Sequence, residues 1–171
     1  MNQKLFAKSA ARETKNKKIF FYRMNKIDIG IAEENNAVTE VFFGRNMSAA
    51  CAKAETPLIK KTAGQIEEYL GGKRKKFSLP LALRGTEFQL AVWKALQTIP
   101  YGETRSYGEI AAQIGRPKAA RAVGMANHNN PISILVPCHR VIGHNGKLVG
   151  YGAGLPLKQR LLDLEKGKTL F

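Results

Sequence analysis

Two cysteines in 171 residues, Cys51 and Cys138, are too few for a disulfide-stapled secreted scaffold and are expected as thiols in a reducing compartment. No apolar run approaches the ~20 residues that cross a bilayer, so no transmembrane helix is expected. The first residues lack the apolar stretch and small-residue cleavage site of a secretory signal, so none is expected. Phosphate-cradling glycine loops of the P-loop or dinucleotide type are missing, and so is any internal repeat. Closely spaced Cys/His pairs are missing too, which argues against structural zinc. Acidic residues are scarce: 13 Asp plus Glu stand against 28 Lys plus Arg, a net charge of +15. A surplus that large favours a polyanion such as nucleic acid over a merely solubilised face. With 44% hydrophobic residues the chain still buries a core.

The charge is uneven. Residues 1–26 carry a surplus of seven positive charges, residues 27–80 a surplus of one, and residues 81–171 a surplus of seven. Residues 1–18 have no apolar period and are expected as a mobile basic tail. Ile19–Tyr22, Ile27–Ala32 and Val38–Phe43 read as three strands of an antiparallel meander, with Asn35-Asn36 as a turn. Thr56-Pro57 then opens a helix whose Ile59, Ala63, Ile66 and Leu70 form one stripe, and Gly71-Gly72 ends it. Lys73 to Lys76 form an exposed link. Residues 19–80 thus make an N-terminal α/β domain, and residues 81–171 a second domain.

The second domain is mostly helical. Thr86 with Gln89, and Ser106 with Glu109, have capping-box spacing. Gly115 ends the second of these helices, Arg116-Pro117-Lys118 turns the chain, and a short helix from about Lys118 to Ala126 follows. Helix, tight turn, helix is the pattern of a helix-turn-helix, and a structural helical hairpin fits it equally. The second helix of this pair carries Ala119, Ala120, Ala122, Gly124 and Ala126, a face small enough to approach either a nucleic-acid backbone or another helix. The fold class is α+β: a small antiparallel sheet with a helix, then a winged-helix-like domain.

The sharpest local feature is Ile134-Leu135-Val136-Pro137-Cys138-His139-Arg140-Val141. A short apolar strand ends in Pro-Cys-His-Arg, which places polar groups inside a buried run, at a cost unless they are paired. Positive neighbours lower a thiol's pKa, and a Cys with a His and an acid is the activated-thiol arrangement. A buried, inert Cys138 is the alternative. Gly150 to Gly154 read as a lip over the site.

These motifs resemble the methylated-DNA–protein-cysteine methyltransferases, the O-6-alkylguanine repair proteins. The resemblance rests on Asn130-Pro131, Pro137-Cys138-His139-Arg140 and Gly150-Tyr151, with Ile99-Pro100-Tyr101-Gly102, Ser106-Tyr107 and Pro117 to Gly124 in the same order. It runs from about Gly85 to Gly167, while residues 19–80 match only in outline. It implies stoichiometric transfer of an alkyl group from O-6 of guanine in double-stranded DNA to Cys138, after the base is flipped. The protein would act once, as a cytoplasmic monomer (nuclear in a eukaryote), without cofactor, metal or membrane.

The resemblance also implies roles. Cys138 accepts the alkyl group, His139 acts through a water as its base, Glu165 holds the imidazole, and Asn130 braces the turn. Arg121 fills the gap left by the flipped nucleotide, with Ala119, Ala120 and Gly124 beside it against the DNA. Tyr107 helps rotate the target phosphate and donates to the guanine ring. The backbone at Cys138, Val141, Tyr151 and Gly152 reads the base. Glu165→Gln is expected to slow transfer more than it destabilises the fold.

Overall fold

The computed structural model describes residues 16–44 and 52–168. The first fifteen residues of the basic tail and Cys51 lie outside the described residues. Three strands form the expected meander: β1 (Lys18–Met24), β2 (Ile27–Glu34) and β3 (Ala37–Phe43). Both hairpin turns have two central residues at positive φ, Asn25 (48°) with Lys26 (65°) and Asn35 (51°) with Asn36 (60°). That left-handed pair matches the twist of the flanking strands. Asn35-Asn36 was legible for this reason, while Lys26 has no such preference. A two-residue strand, β4 (Ala52–Lys53), adds in parallel to β1, so the sheet has the order β3-β2-β1-β4 and is mixed.

Helix α1 (Pro57–Leu70) starts as its cap residues dictate, with Thr56 accepting from the Ile59 amide at 3.1 Å. Its buried stripe of Ile59, Ala63, Ile66 and Leu70 joins Ile29, Ile31 and Val41 of the sheet in one core. The link after it is more than a solvated run. Arg74 pairs with Glu68 at 2.6 Å and Lys75 lies 5.5 Å from the Tyr101 ring centroid.

Helices α2 (Glu87–Leu96) and α3 (Tyr107–Gln113) both carry complete capping boxes. Helix α4 (Ala120–His128) follows after a turn at Gly115 to Ala119. It begins about two residues later than expected and has no side-chain cap. The helix-turn-helix is therefore α3 and α4, packed on α2: Trp93 donates to the Ala126 carbonyl at 2.8 Å. A parallel pair of two-residue strands, β5 (Arg105–Ser106) and β6 (Val141–Ile142), ties the start of α3 to the end of the Cys138 segment. Helix α5 (Leu155–Glu165) closes the described chain.

The outer edge of β3 is paired, as an edge strand must be to stay closed to other chains. Val38 bonds to Pro80 and Ala82, and Val41 accepts from Ser133 and donates to Pro131, at 2.8–2.9 Å. The sheet thus holds residues 131–133, which lead into Cys138.

The expected strand at Ile134–Val136 is a tight turn instead, with Ile134 at φ 71°. The Asn130 side chain is the reason. Its amide nitrogen donates to Val136 O at 2.9 Å, and its oxygen accepts from Ile132 N at 3.1 Å. One side chain therefore bridges both ends of the loop and folds it back, which an apolar run alone does not predict.

Candidate active site

The turn set by Asn130 delivers Pro137 into a single 3-10 turn, Cys138–Arg140. All three of its side chains are buried. Alternation along a strand would have sent Cys138 and His139 to opposite faces, and in the turn each instead meets a different partner set.

His139 and Glu165 are brought together. His139 Nε2 lies 2.8 Å from Glu165 Oε1, and both side chains are almost fully buried. The carboxylate fixes the tautomer by taking the Nε2–H, which leaves Nδ1 with its lone pair. Nδ1 is buried and has no hydrogen-bond partner in the protein. Burial pushes the imidazole below its ordinary pKa, partly countered by Glu165, so it is neutral at pH 7 and able to accept a proton.

Glu165 is crowded with donors. Oε1 accepts from Tyr69 Oη at 2.6 Å and Arg140 Nη2 at 2.9 Å, and Oε2 accepts from Arg140 Nε and Gly102 N, both at 2.9 Å. Burial alone would raise its pKa, but the bonds from His139, Arg140 and Tyr69 outweigh that and hold it at about 2. Arg140 is thus spent on the carboxylate and on Ile99 O, which Nη1 reaches at 2.6 Å. It is not the thiol activator that its place in the sequence suggests.

The Cys138 thiol is fully enclosed, and burial pushes its pKa up despite Asn130 and Lys158, which pull it down. The expectation of a thiol already acidified by positive neighbours is reversed, because desolvation exceeds their pull. Cys138 is therefore a neutral thiol at pH 7, and chemistry at it needs a base.

Two site residues escaped the sequence reading. Lys158 is fully buried, and its ammonium donates to Val141 O at 2.5 Å and Val149 O at 3.0 Å. It staples the lip to the end of the Cys138 turn, and burial depresses its pKa to about 8. A signal existed: Lys158, Leu161, Leu162 and Glu165 follow helical spacing and share one buried face. Tyr69 is the other, a buried residue of α1 beside Leu70 and three residues after Ile66.

The remaining candidates sit as follows. Tyr107, half-buried, donates to Val149 O at 2.9 Å, so its hydroxyl is occupied by the lip. The Val141 carbonyl is likewise used by Lys158. Tyr151 is buried with its hydroxyl beside the Cys138 thiol, and Gly152 is exposed next to it. On α4, Val123, Ala126 and Asn127 face inward, while Arg121 and Met125 are exposed, one turn apart on the opposite side. Gly124 packs on the Tyr107 ring: a Cβ there would lie 3.7 Å from it. Ala119 and Ala120 are half-buried, so the small-residue face is divided between helix packing and the surface. Asn127 donates to Cys138 O at 3.2 Å, which joins the helix bearing Arg121 to the Cys138 turn. Among the described residues no group of three or more His, Cys, Asp or Glu is placed to hold a metal ion, and no helix is long and apolar enough to cross a membrane.

Fold and site together define an α+β protein whose helix-turn-helix backs directly onto a buried Cys-His-Glu site. The profile of "6-O-methylguanine DNA methyltransferase, DNA binding domain" matches residues 87–167. A methylated-DNA–protein-cysteine methyltransferase of Methanosarcina acetivorans is 61% identical over 107 residues, 63% of this chain and 69% of its own length. One of Mycobacterium tuberculosis is 64% identical over 105 residues, 61% of this chain and 64% of its own length, just under two thirds. The structure of Mycobacterium tuberculosis OGT in complex with DNA superimposes with a TM-score of 0.83 at 47% identity, covering 88% of this chain and 93% of that one. The chain belongs to the methylated-DNA–protein-cysteine methyltransferase family.

Proposed function

We propose that this protein repairs DNA by transferring a methyl or other alkyl group from O-6 of guanine in duplex DNA to Sγ of Cys138, once per molecule. The observation that carries the reading is the enclosed Cys138 thiol, set between a neutral His139 held by Glu165 and the helix that bears Arg121. A base edge in a duplex reaches such a site only by flipping out, and an exposed Arg121 is placed to fill the vacated stack.

The step balances. A water at Nδ1 carries the thiol proton to His139, the Sγ–C bond forms, and the O-6–C bond breaks. One proton passes to the guanine ring from Tyr107 once its hydroxyl leaves Val149 O, and the phenolate regains a proton through solvent as His139 gives up the one it took from the thiol. The thioether has no route back to a thiol, which makes the reaction stoichiometric. Asn130 and Lys158 hold the acceptor turn and lip, and the backbone of Cys138, Val141, Tyr151 and Gly152 lines the side where the base would enter. Arg121, with Ala119, Ala120 and the exposed edge of Gly124, meets the DNA. Residues 19–80 support the acceptor segment through β3, and residues 81–171 carry DNA binding and chemistry. The protein works as a monomer, cytoplasmic or, in a eukaryote, nuclear.

Intact mass after incubation with a duplex bearing methylated guanine tests the reading. A gain of one methyl group, localised to Cys138 by peptide mapping, is the expected result. An unmodified protein, or continued turnover on an ester or amide, would refute it.

A further inference from the structure

Tyr69 belongs to α1, in the part of the chain before residue 80, yet its side chain is fully buried and ends inside the Cys-His-Glu site. Its hydroxyl donates to Glu165 Oε1 at 2.6 Å and lies 3.2 Å from His139 Nε2. Its ring stands edge-on to Tyr101 at 6.1 Å and tilted to Phe77 at 5.5 Å, which leaves the hydroxyl one position. We infer that Tyr69 is a positioning residue of the acceptor reaction: it orients the His139–Glu165 pair and sets the strength of His139 as a base. The inference rests on the transfer reading above.

A buried tyrosine hydroxyl needs one hydrogen-bond partner, and a backbone carbonyl would satisfy it. Here it shares the one carboxylate oxygen that His139 uses. The charge on Oε1 is divided among Tyr69, His139 and Arg140. Every donor added there reduces what the carboxylate offers the imidazolium that forms when His139 accepts the thiol proton. Tyr69 therefore weakens His139 as a base while fixing its ring.

The other groups facing His139 act in defined directions. Arg140 and Lys158 oppose its charge and Glu165 favours it. Tyr101, itself flanked by Lys75 and Arg140, stacks beyond Tyr69, and Cys138 precedes His139 in the turn. None of these reaches Glu165 Oε1 from α1. Tyr69 thus carries a hydrogen bond from the N-terminal part of the chain directly to the His139–Glu165 pair.

The test is Tyr69→Phe in the full chain, which removes one oxygen and keeps the ring. With less competition at Oε1, His139 binds its proton more tightly. The acid limb of the rate of transfer against pH should move up by about one pH unit, the size of one redistributed charge-assisted bond. Below that limb, transfer per folded molecule should fall about tenfold, while DNA affinity stays unchanged. NMR titration of the His139 imidazole should show the same upward shift, and it reads the inference without any transfer. Failure of wild type to transfer would thus sink the functional reading alone. An unchanged His139 titration and pH profile in the folded variant would overturn the role of Tyr69. Should the variant not fold, wild type decides: a slowly exchanging Tyr69 hydroxyl proton beside the His139 ring is expected, and its absence overturns the inference.

Discussion

Replacing Glu165 with glutamine keeps the shape of the side chain and removes its charge. The carboxylate accepts from Tyr69, His139, Arg140 and Gly102 and has a side chain only 1% exposed. In the variant the Arg140 guanidinium, 8% exposed, loses its counter-charge while staying in place. Breaking a buried pair from one side costs about 3–5 kcal/mol. The pKa leads to the same order: a carboxyl lowered from 4.5 to about 2 by its surroundings stabilises the fold by about 3 kcal/mol at neutral pH. Against a typical total of about 5–15 kcal/mol this is a large fraction. Glu165→Gln should therefore damage the fold as much as the chemistry, and the sequence-based expectation of a mainly kinetic defect is revised.

The sign of the pH dependence sharpens the test. A depressed carboxyl stabilises above its unfolded pKa and loses that contribution as pH falls through its folded pKa. The gap between wild type and variant should be full at pH 7, shrink below about pH 4.5, and be nearly gone near pH 2. Urea unfolding followed by Trp93, the single and buried tryptophan, measures it. A gap under about 1 kcal/mol at pH 7, the worth of an ordinary neutral hydrogen bond, would refute the reasoning. So would a gap that does not narrow in acid.

Cys138→Ser should abolish transfer with DNA affinity near wild type, because a hydroxyl is a far poorer nucleophile, whereas Cys51→Ser should transfer normally; mass spectrometry of both variants separates the two thiols. Arg121→Ala should slow transfer from duplex DNA far more than from a free methylated base, where no unstacking is needed. Equal losses on both substrates would remove its stack-filling role. Lys158→Met should remove the ammonium from Val141 O and Val149 O, the latter keeping only Tyr107, and raise the Cys138 thiol further. Alkylation of Cys138 by iodoacetamide, followed against pH, should then shift to higher pH, and an unshifted profile would show that the ammonium does not act on the thiol.

Much of the architecture was legible because it is local. Capping boxes at Thr86 and Ser106, Pro57 behind Thr56, Asn35-Asn36 and Gly115 each act within four or five residues. Period-two and helical stripes located the meander and the buried faces. The Pro-Cys-His-Arg run marked the candidate site, and its resemblance to known motifs pointed to Glu165, 26 residues beyond His139, as the partner of the imidazole. Sequence alone thus determined the order of the meander strands and of the first four helices, and singled out Cys138 as the candidate thiol.

Tertiary structure decided what surrounds that thiol. Asn130 bonds both to Ile132 and to Val136, and this turned an apparent strand into a loop. Burial raised the pKa of Cys138 where neighbouring charges alone would lower it, since desolvation depends on the whole fold. Arg140 went to Glu165, Lys158 to the lip, and Tyr69 crossed from α1 to the same carboxylate, 96 residues away in the chain. Such partners are set by which faces pack together. Period and spacing record that a residue is buried, but not which distant group it meets there.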